Sequence, residues 1–362
     1  MTVNGTMSAK PRILTGDTPT GMLHLGHWVG SVKRRVELQR THECFFIIAN
    51  MHAYTTRAEK SEQIRADCIE IVRDYLAMGI DPDAGTIFLQ SEVPAIAELT
   101  FLFAMLLPFN RVMRNPTLKE EIKVKGLGEN YSFGFPLYAV GQTADILSFR
   151  PVGVPVGEDQ VPHLELTREV ARRFNQMFCG VSDQAEDDDH VKLGGVLPIP
   201  RADVGKVGRL VGTDGVNKMS KSLNNAIYIS DSAAEVEKKV KKIFTGRQSA
   251  TEPGDINNAL FQYVDAFFEN PERIAELKRR YAAGDNIGDG HVKVELAAEL
   301  NKFLEPMRQR RKAFEGRDDM ILDILKTGSA KANETAEVTL ALVKAKANLV
   351  TFPRSVRYRT DA

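Results

Sequence analysis

The sequence predicts an α/β chain, in which a doubly wound parallel-sheet domain is followed by an all-helical domain. Three observations predict it. Short β-rich runs alternate with long amphipathic stretches over the first two-thirds of the 362 residues, the pattern of parallel strands joined by crossover helices. After Asp231 the strand pattern stops and only helical periodicity continues. With 43% hydrophobic and 27% charged residues the chain has ordinary globular make-up and length enough for two domains.

The elements follow in order. Residues 1–10 lack the apolar core of a signal peptide and read as a flexible N-terminus. Strands are expected at Arg12 to Thr15, Cys44 to Asn50, Thr86 to Gln90 and Val152 to Val156. Between and after them, helices are expected at Leu25 to Arg40, Ser61 to Met78, Ala95 to Leu107, Pro136 to Leu147 and Gln160 to Phe174. This strand and helix arithmetic is that of a Rossmann-like nucleotide-binding domain over residues 11–230. Val181 to Gly208 reads as an exposed connection whose acidic run, Glu186 to Asp189, is solvated. Ala233 to Phe244, Asn258 to Phe268, Pro271 to Ala282, Val292 to Lys312 and Ser329 to Ala347 then form the helical domain, residues 231–350, before a tail at 351–362.

Lysine plus arginine balance aspartate plus glutamate at 48 each, so any nucleic-acid contact must use local patches. Cys44, Cys68 and Cys179 suggest neither a disulfide framework nor a zinc site, which fits a reducing compartment. No run approaches the roughly 20 apolar residues of a membrane span, so a soluble cytoplasmic protein without membrane contact is expected.

Two polar stretches carry chemistry. Thr15-Gly-Asp-Thr-Pro-Thr-Gly-Met-Leu-His-Leu-Gly-His27 is a turn between strand and helix that places His24 and His27 at a helix start. Free N–H groups there favour anions, imidazole N–H groups can donate to phosphate, and Gly26 leaves room for a base. Taken alone, the pair is as readily a set of capping or surface histidines. Asn217-Lys-Met-Ser-Lys-Ser-Leu-Asn224 is a loop whose Lys218 and Lys221 could reach a triphosphate; taken alone, it is as readily a solvated loop.

Together the two stretches resemble the paired signature of class I aminoacyl-tRNA synthetases. Between them, Tyr138, Gln142 and Asp145 share one helix face, which without context would be packing. Val154-Pro-Val-Gly-Glu-Asp-Gln-Val-Pro-His-Leu-Glu-Leu-Thr-Arg168 is similar to a stretch of tryptophanyl-tRNA synthetases, and Gly79-Ile-Asp-Pro, Gln90-Ser-Glu-Val-Pro94 and the run from Gly284 to Lys293 extend the likeness from Arg12 to about Lys344. Asp17-Thr-Pro-Thr-Gly with His-Leu-Gly-His looks closer to the second bacterial type. The Tyr-x-x-x-Gln-x-x-Asp triad occurs equally in tyrosyl enzymes, but Leu14 stands where those usually carry tyrosine, and Gly157-Glu-Asp-Gln160 replaces their Gly-Gly-Ser-Asp-Gln. The alternatives are therefore a tyrosyl-tRNA synthetase or a synthetase paralogue with a binding or regulatory role.

The resemblance implies tryptophan–tRNA ligase activity: ATP-dependent activation of L-tryptophan to the adenylate, then transfer to tRNA(Trp). It implies His24, His27, Lys218, Lys221 and Lys119 as catalytic residues, with Mg²⁺ shared with the triphosphate. ATP would be met by Thr18, Gly26, His27, Gly157, Asp159, Met219, Ser220 and Lys221. Asp145 would take the indole N–H, with Tyr138 and Gln160 at the ammonium and carboxylate ends. Leu14, His52, Gln142, Val154 and Val156 complete the tryptophan pocket. Lys278 to Arg280 and Arg308 to Lys312 are candidate tRNA phosphate contacts, and a homodimer is expected.

Overall fold

The computed structural model describes residues 10–204, 210–221 and 223–352. Residues 1–9 of the expected flexible N-terminus, residues 353–362 of the expected tail, and the last residues of the 181–208 connection lie outside the described residues. The sheet has five parallel strands in the order β3-β2-β1-β4-β5, with β1 at Arg12–Asp17, β2 at Glu43–Ile48, β3 at Gly85–Leu89, β4 at Gly153–Val156 and β5 at Arg201–Val204. Strand order reverses between β1 and β4, and in a doubly wound sheet that reversal opens a crevice beyond the strand C-termini.

Side chains alternate between two cores as the pleat requires. Ile13, Cys44, Phe46, Ile48 and Ile87 face one cluster, whereas Leu14, Phe45, Ile47 and Phe88 face the other. The expected helix from Leu25 forms in three pieces: α1 at Leu25–His27, a π turn at Trp28–Val32 and α2 at Lys33–Leu38. Just past the π turn Arg35 points inward, only 2% exposed, and donates to Asp17 Oδ2 and to the Tyr75 hydroxyl, both at 2.7 Å.

The sheet domain continues through α3 at Asn50–Arg57, α4 at Ser61–Met78, α5 at Pro94–Ala104, α6 at Phe109–Met113, α7 at Pro116–Val124, α8 at Gly134–Leu147 and α9 at Val161–Cys179. Hydrophobic periodicity does not announce α3, because of its residues only Ala53 is buried. Capping would have announced α7: Asn115 accepts from the Thr117 N–H and Pro116 occupies the first turn.

Two expectations about the 181–208 connection are corrected. Its end is a strand, β5, too short and too polar to show a period-2 pattern. Within its partly exposed acidic run Asp187 is latched, binding Arg168 at 2.6 Å and Arg172 at 2.7 Å, while Asp188 and Asp189 pair with Arg201 and Lys192 at the surface.

The helical part comprises α10 at Ala233–Lys241, opened by a Ser232–Glu235 capping box, then α11 at Ala259–Phe267, α12 at Pro271–Ala283, α13 at Asp289–Lys312 and α14 at Asp318–Lys346. The last begins well before Ser329 and returns to the sheet. The Leu89 N–H donates to Ser329 Oγ at 3.1 Å, so α14 covers the open edge of β3, and Ala332, Ala336, Leu340 and Val343 join the second core. The change at Asp231 is thus one of secondary-structure class and not a gap in packing, since the first core runs without interruption from Ile13 to Leu325.

The basic residues of α13 serve the same join. Arg308 donates to the Asp231 carbonyl at 2.8 Å and to Asn301 Oδ1 at 2.6 Å, Arg310 to the Ala77 carbonyl at 2.7 Å, and Arg311 to Asp74 Oδ1 at 2.8 Å. Lys278 is paired with Asp265, and Arg280 with Glu276 and Asp285. Of the expected phosphate contacts, Arg308 and Arg311 therefore hold the protein together; Arg310, though bonded to the Ala77 carbonyl, stays exposed, as do Arg279 and Lys312. Among the described residues no helix is long and apolar enough to cross a membrane.

Candidate active site

The two polar stretches meet through main chain. Segment 227–229, which follows the lysine loop, pairs antiparallel with segment 23–25: the Leu25 N–H donates to the Ile227 carbonyl at 2.9 Å and the Ile229 N–H to the Leu23 carbonyl at 3.0 Å. This pairing brings His24, His27, Lys218, Met219, Ser220 and Lys221 to one cleft of about 1780 Å³ at the sheet's crevice. Gly26 lines it with nothing beyond its backbone, and a β-carbon there would lie 3.0 Å from the His24 ring and 3.5 Å from Met219 Sδ.

The imidazoles lie with centroids 3.8 Å apart, and the His24 N–H donates to His27 Nδ1 at 3.1 Å, which leaves the His27 ring proton on Nε2. Burial, with the neighbouring ring and Lys218, pushes His24 down to about 2, and burial lowers His27 as well. Both are neutral donors at pH 7, so the positive charge in the cleft comes from lysine and arginine. His24 Nδ1 is buried without a hydrogen-bond partner among the described residues. Behind His27, burial pushes the Asp17 carboxyl up, but the Arg35 guanidinium, with hydrogen bonds from Arg35 and Tyr75, outweighs it and holds Asp17 at about 2.

The lysine loop is held by residues the sequence reading did not single out. Asn225 Oδ1 accepts from the Ser220 N–H at 2.7 Å, while its Nδ2 donates to the Lys218 carbonyl at 3.0 Å and to Asp214 Oδ2 at 2.9 Å. Asp214 in turn accepts from the N–H groups of Val216 and Asn217. An Asp-x-x-Asn turn leading into two lysines was the available signal.

Gly157, Glu158 and Asp159 enter the same cleft from the end of β4. Two expected members do not. Thr18 is exposed at the end of β1 while Thr20 lines the cleft, and Lys119 is exposed on α7 while Lys125, beyond that helix, lines it. Lys125 is bonded to Glu121 at 2.6 Å, and Glu121 also accepts from the Tyr138 hydroxyl at 3.2 Å. Arg57, bound to Asp67 at 2.9 Å, is a further cleft residue that the sequence did not signal.

Deeper in the sheet domain, α8 presents Tyr138, Gln142 and Asp145 on one face as the spacing requires. Gln142 donates to Gln160 Oε1 at 3.3 Å. The Tyr138 hydroxyl lies 3.2 Å from His163 Nε2, and burial together with Glu121 raises its pKa. Asp145 is 3% exposed, accepts from Gln90 Nε2 at 2.7 Å and faces His52 Nδ1 at 3.6 Å. Burial, opposed by the Gln90 bond, pushes its carboxyl up to about 7. Leu14 and Val154 are buried core residues, and Val156 is partly buried against the same cluster.

Residues 7–305 match the family described as tRNA synthetases class I (W and Y). The chain is 44% identical over 347 residues to the tryptophan–tRNA ligase of Treponema pallidum, a match covering 94% of this chain and 98% of that one. Among solved structures, it resembles the tryptophanyl-tRNA synthetase of Campylobacter jejuni complexed with ADP and tryptophan, with a TM-score of 0.77 and 30% identity over 93% of this chain and all of that one. The tyrosyl-tRNA synthetase of Archaeoglobus fulgidus complexed with L-tyrosine shares the fold at 23% identity, covering 84% of this chain and 91% of that one with a TM-score of 0.62.

Proposed function

The chain belongs to the class I tRNA synthetases for tryptophan and tyrosine, in their tryptophan–tRNA ligase branch, and from that premise we propose how its residues divide the work. ATP lies in the cleft between the histidine segment and the lysine loop, and L-tryptophan lies against the α8 face. The antiparallel pairing of segments 23–25 and 227–229 carries this reading, because it fixes donors from both motifs around one space.

In activation a tryptophan carboxylate oxygen attacks the α-phosphorus of ATP, the bond to the bridging α,β-oxygen breaks, and pyrophosphate leaves with the electron pair. The carboxylate is already a nucleophile, so positioning and charge stabilisation suffice. Neutral His24 and His27 donate to phosphate or ribose oxygens, while Lys218, Lys221 and Lys125 meet the negative charge that moves toward pyrophosphate. When bound with ATP, magnesium would supply further neutralisation of the triphosphate charge beside these lysines. Gly157 and Asp159 adjoin the adenylate. Asp145 accepts the indole N–H, and Tyr138 and Gln160 meet the ammonium and carboxylate. In the second step the terminal adenosine hydroxyl of tRNA(Trp) attacks the acyl carbon and AMP leaves.

A homodimer fits the surface: Phe101, Met105 and Phe109, on or beside α5 and α6, are each more than 60% exposed, an apolar strip that a second copy would cover. Tryptophan-dependent ATP–pyrophosphate exchange, followed by charging of tRNA(Trp), tests the assignment. Exchange that depends on tyrosine instead would overturn it.

A further inference from the structure

Gln90 follows directly on β3 and is 3% exposed where β3, α3 and α8 converge. Its Oε1 accepts from two backbone N–H groups of the first turn of α3, Met51 at 3.1 Å and His52 at 3.2 Å. Only the carbonyl end of the amide can accept, so these bonds fix its orientation and aim Nε2 the other way. Nε2 donates to Asp145 Oδ1 at 2.7 Å and stands 3.0 Å from His52 Nε2. Because an amide nitrogen only donates, His52 Nε2 must accept, and the imidazole proton resides on Nδ1, facing Asp145 Oδ2. Gly141, one turn before Asp145, makes room for this arrangement: a β-carbon there would lie 2.7 Å from His52 Nε2.

The two oxygens of Asp145 are therefore distinct. Oδ1 accepts from Gln90, whereas Oδ2 has the His52 Nδ1–H only at 3.6 Å, beyond hydrogen-bond length, and keeps capacity for a further donor. We propose that Gln90 is a positioning residue for substrate recognition, holding Asp145 with an acceptor oxygen directed at the ring N–H of tryptophan. The inference rests on the reading of Asp145 as the indole partner. Its physical basis is that a buried carboxyl without a donor takes up a proton, which turns one of its oxygens into a donor and leaves a weaker acceptor for an N–H. Of the groups facing Asp145, Gln90 supplies the donor and His52 is kept neutral by burial, which pushes its imidazole down to about 4.

The test compares tryptophan with an analogue in which sulfur replaces the ring N–H, β-(benzothiophen-3-yl)alanine, in ATP–pyrophosphate exchange. Wild type should prefer tryptophan by at least about tenfold in kcat/KM, and Gln90→Met should bring that preference close to one, mainly through the KM for tryptophan. The KM for ATP should move by less than about twofold, a split that general misfolding would not produce. Gln90→Glu keeps an oxygen for the Met51 and His52 N–H groups but sets a second carboxyl against Asp145, and it should lower the preference for tryptophan likewise. A preference retained in both variants would overturn the role of Gln90 while leaving that of Asp145 standing. No preference in wild type would overturn both.

Discussion

The ammonium of Lys221 rests so close to Gly21 that a β-carbon on residue 21 would lie 2.9 Å from Nζ. Gly21 also has φ of +107°, a conformation that side chains disfavour. The turn after β1 therefore depends on a residue with no side chain for its own geometry, and the tip of a lysine two hundred residues later comes to rest against it.

Gly21→Ala should destabilise the fold by about 1 to 2 kcal/mol from backbone strain alone and slow adenylate formation by displacing Lys221. Lys221→Ala should slow single-turnover adenylate formation about a hundredfold while changing ATP affinity much less, because the charge it meets develops in the transition state. An unchanged single-turnover rate in Lys221→Ala would remove that lysine from the mechanism.

Much of the site was legible in the sequence because its parts are local. The histidine turn, the lysine loop and the α8 face are contiguous motifs whose residue types state their chemistry. What escaped was set by partners distant in sequence. Nothing in the run Arg308 to Lys312 distinguishes arginines bound to Asp74 and Ala77 from arginines waiting for phosphate, and nothing in Glu186 to Asp189 reveals Arg168 and Arg172 one helix away. Lys119 and Lys125 look alike in sequence, and only the end of α7 sends the second into the cleft. Gln90 stood within a family-like run, but its chemistry depends on His52 and Asp145, which β3, α3 and α8 must first bring together.

The reassigned arginines give a second prediction. Arg311 is 11% exposed and bonded to both Glu70 and Asp74, and Asp74 also accepts from the Leu23 N–H of the histidine turn. Arg311→Met leaves the buried Asp74 without its cation, while Glu70 keeps Arg73, so stability should fall by about 3 to 5 kcal/mol. The salt dependence of tRNA charging should keep its slope, since no phosphate contact is lost. Denaturant unfolding and a salt titration read the two effects separately, and unchanged stability with a flattened salt slope would return Arg311 to the RNA-binding surface.

Acid should weaken the fold before most carboxylates titrate. Burial lowers the pKa of His24 to about 2 and of His52 and His163 to about 4, and it lowers His27 too, against 6.5 when unfolded. Between 6.5 and about 4 the unfolded chain binds more protons at these sites, so stability is lost as pH falls through that window. Asp145 acts in the opposite sense: raised to about 7, it binds its proton in the folded state first and offsets part of the loss. Asp17, held at about 2, contributes stability that is lost only as pH falls below its ordinary 3.8. The urea midpoint should therefore be lower at pH 5 than at pH 7, and a midpoint that is level or higher at pH 5 would show these histidines to be accessible and charged in the native state.

The last prediction joins the C-terminal helix to the tryptophan pocket. Helix α14 crosses the edge of β3 so closely that a β-carbon on Gly328 would lie 1.8 Å from the Ile87 carbonyl oxygen, and Ser329 Oγ accepts the Leu89 N–H at the strand's last residue. Gln90 is the next residue, so whatever fixes Leu89 also fixes the amide that reaches Asp145. Ser329→Ala leaves a part-buried strand N–H without its acceptor and should cost about 1 kcal/mol or more. Gly328→Ala should cost more, because backbone on both sides must move apart for the added methyl. Both variants should raise the KM for tryptophan more than the KM for ATP, since no residue of β3 lines the proposed nucleotide cleft. Thermal unfolding together with exchange kinetics at varied tryptophan and varied ATP provides the check. Equal changes in both KM values, or loss of stability with neither changed, would show that α14 supports the sheet without setting the position of Gln90.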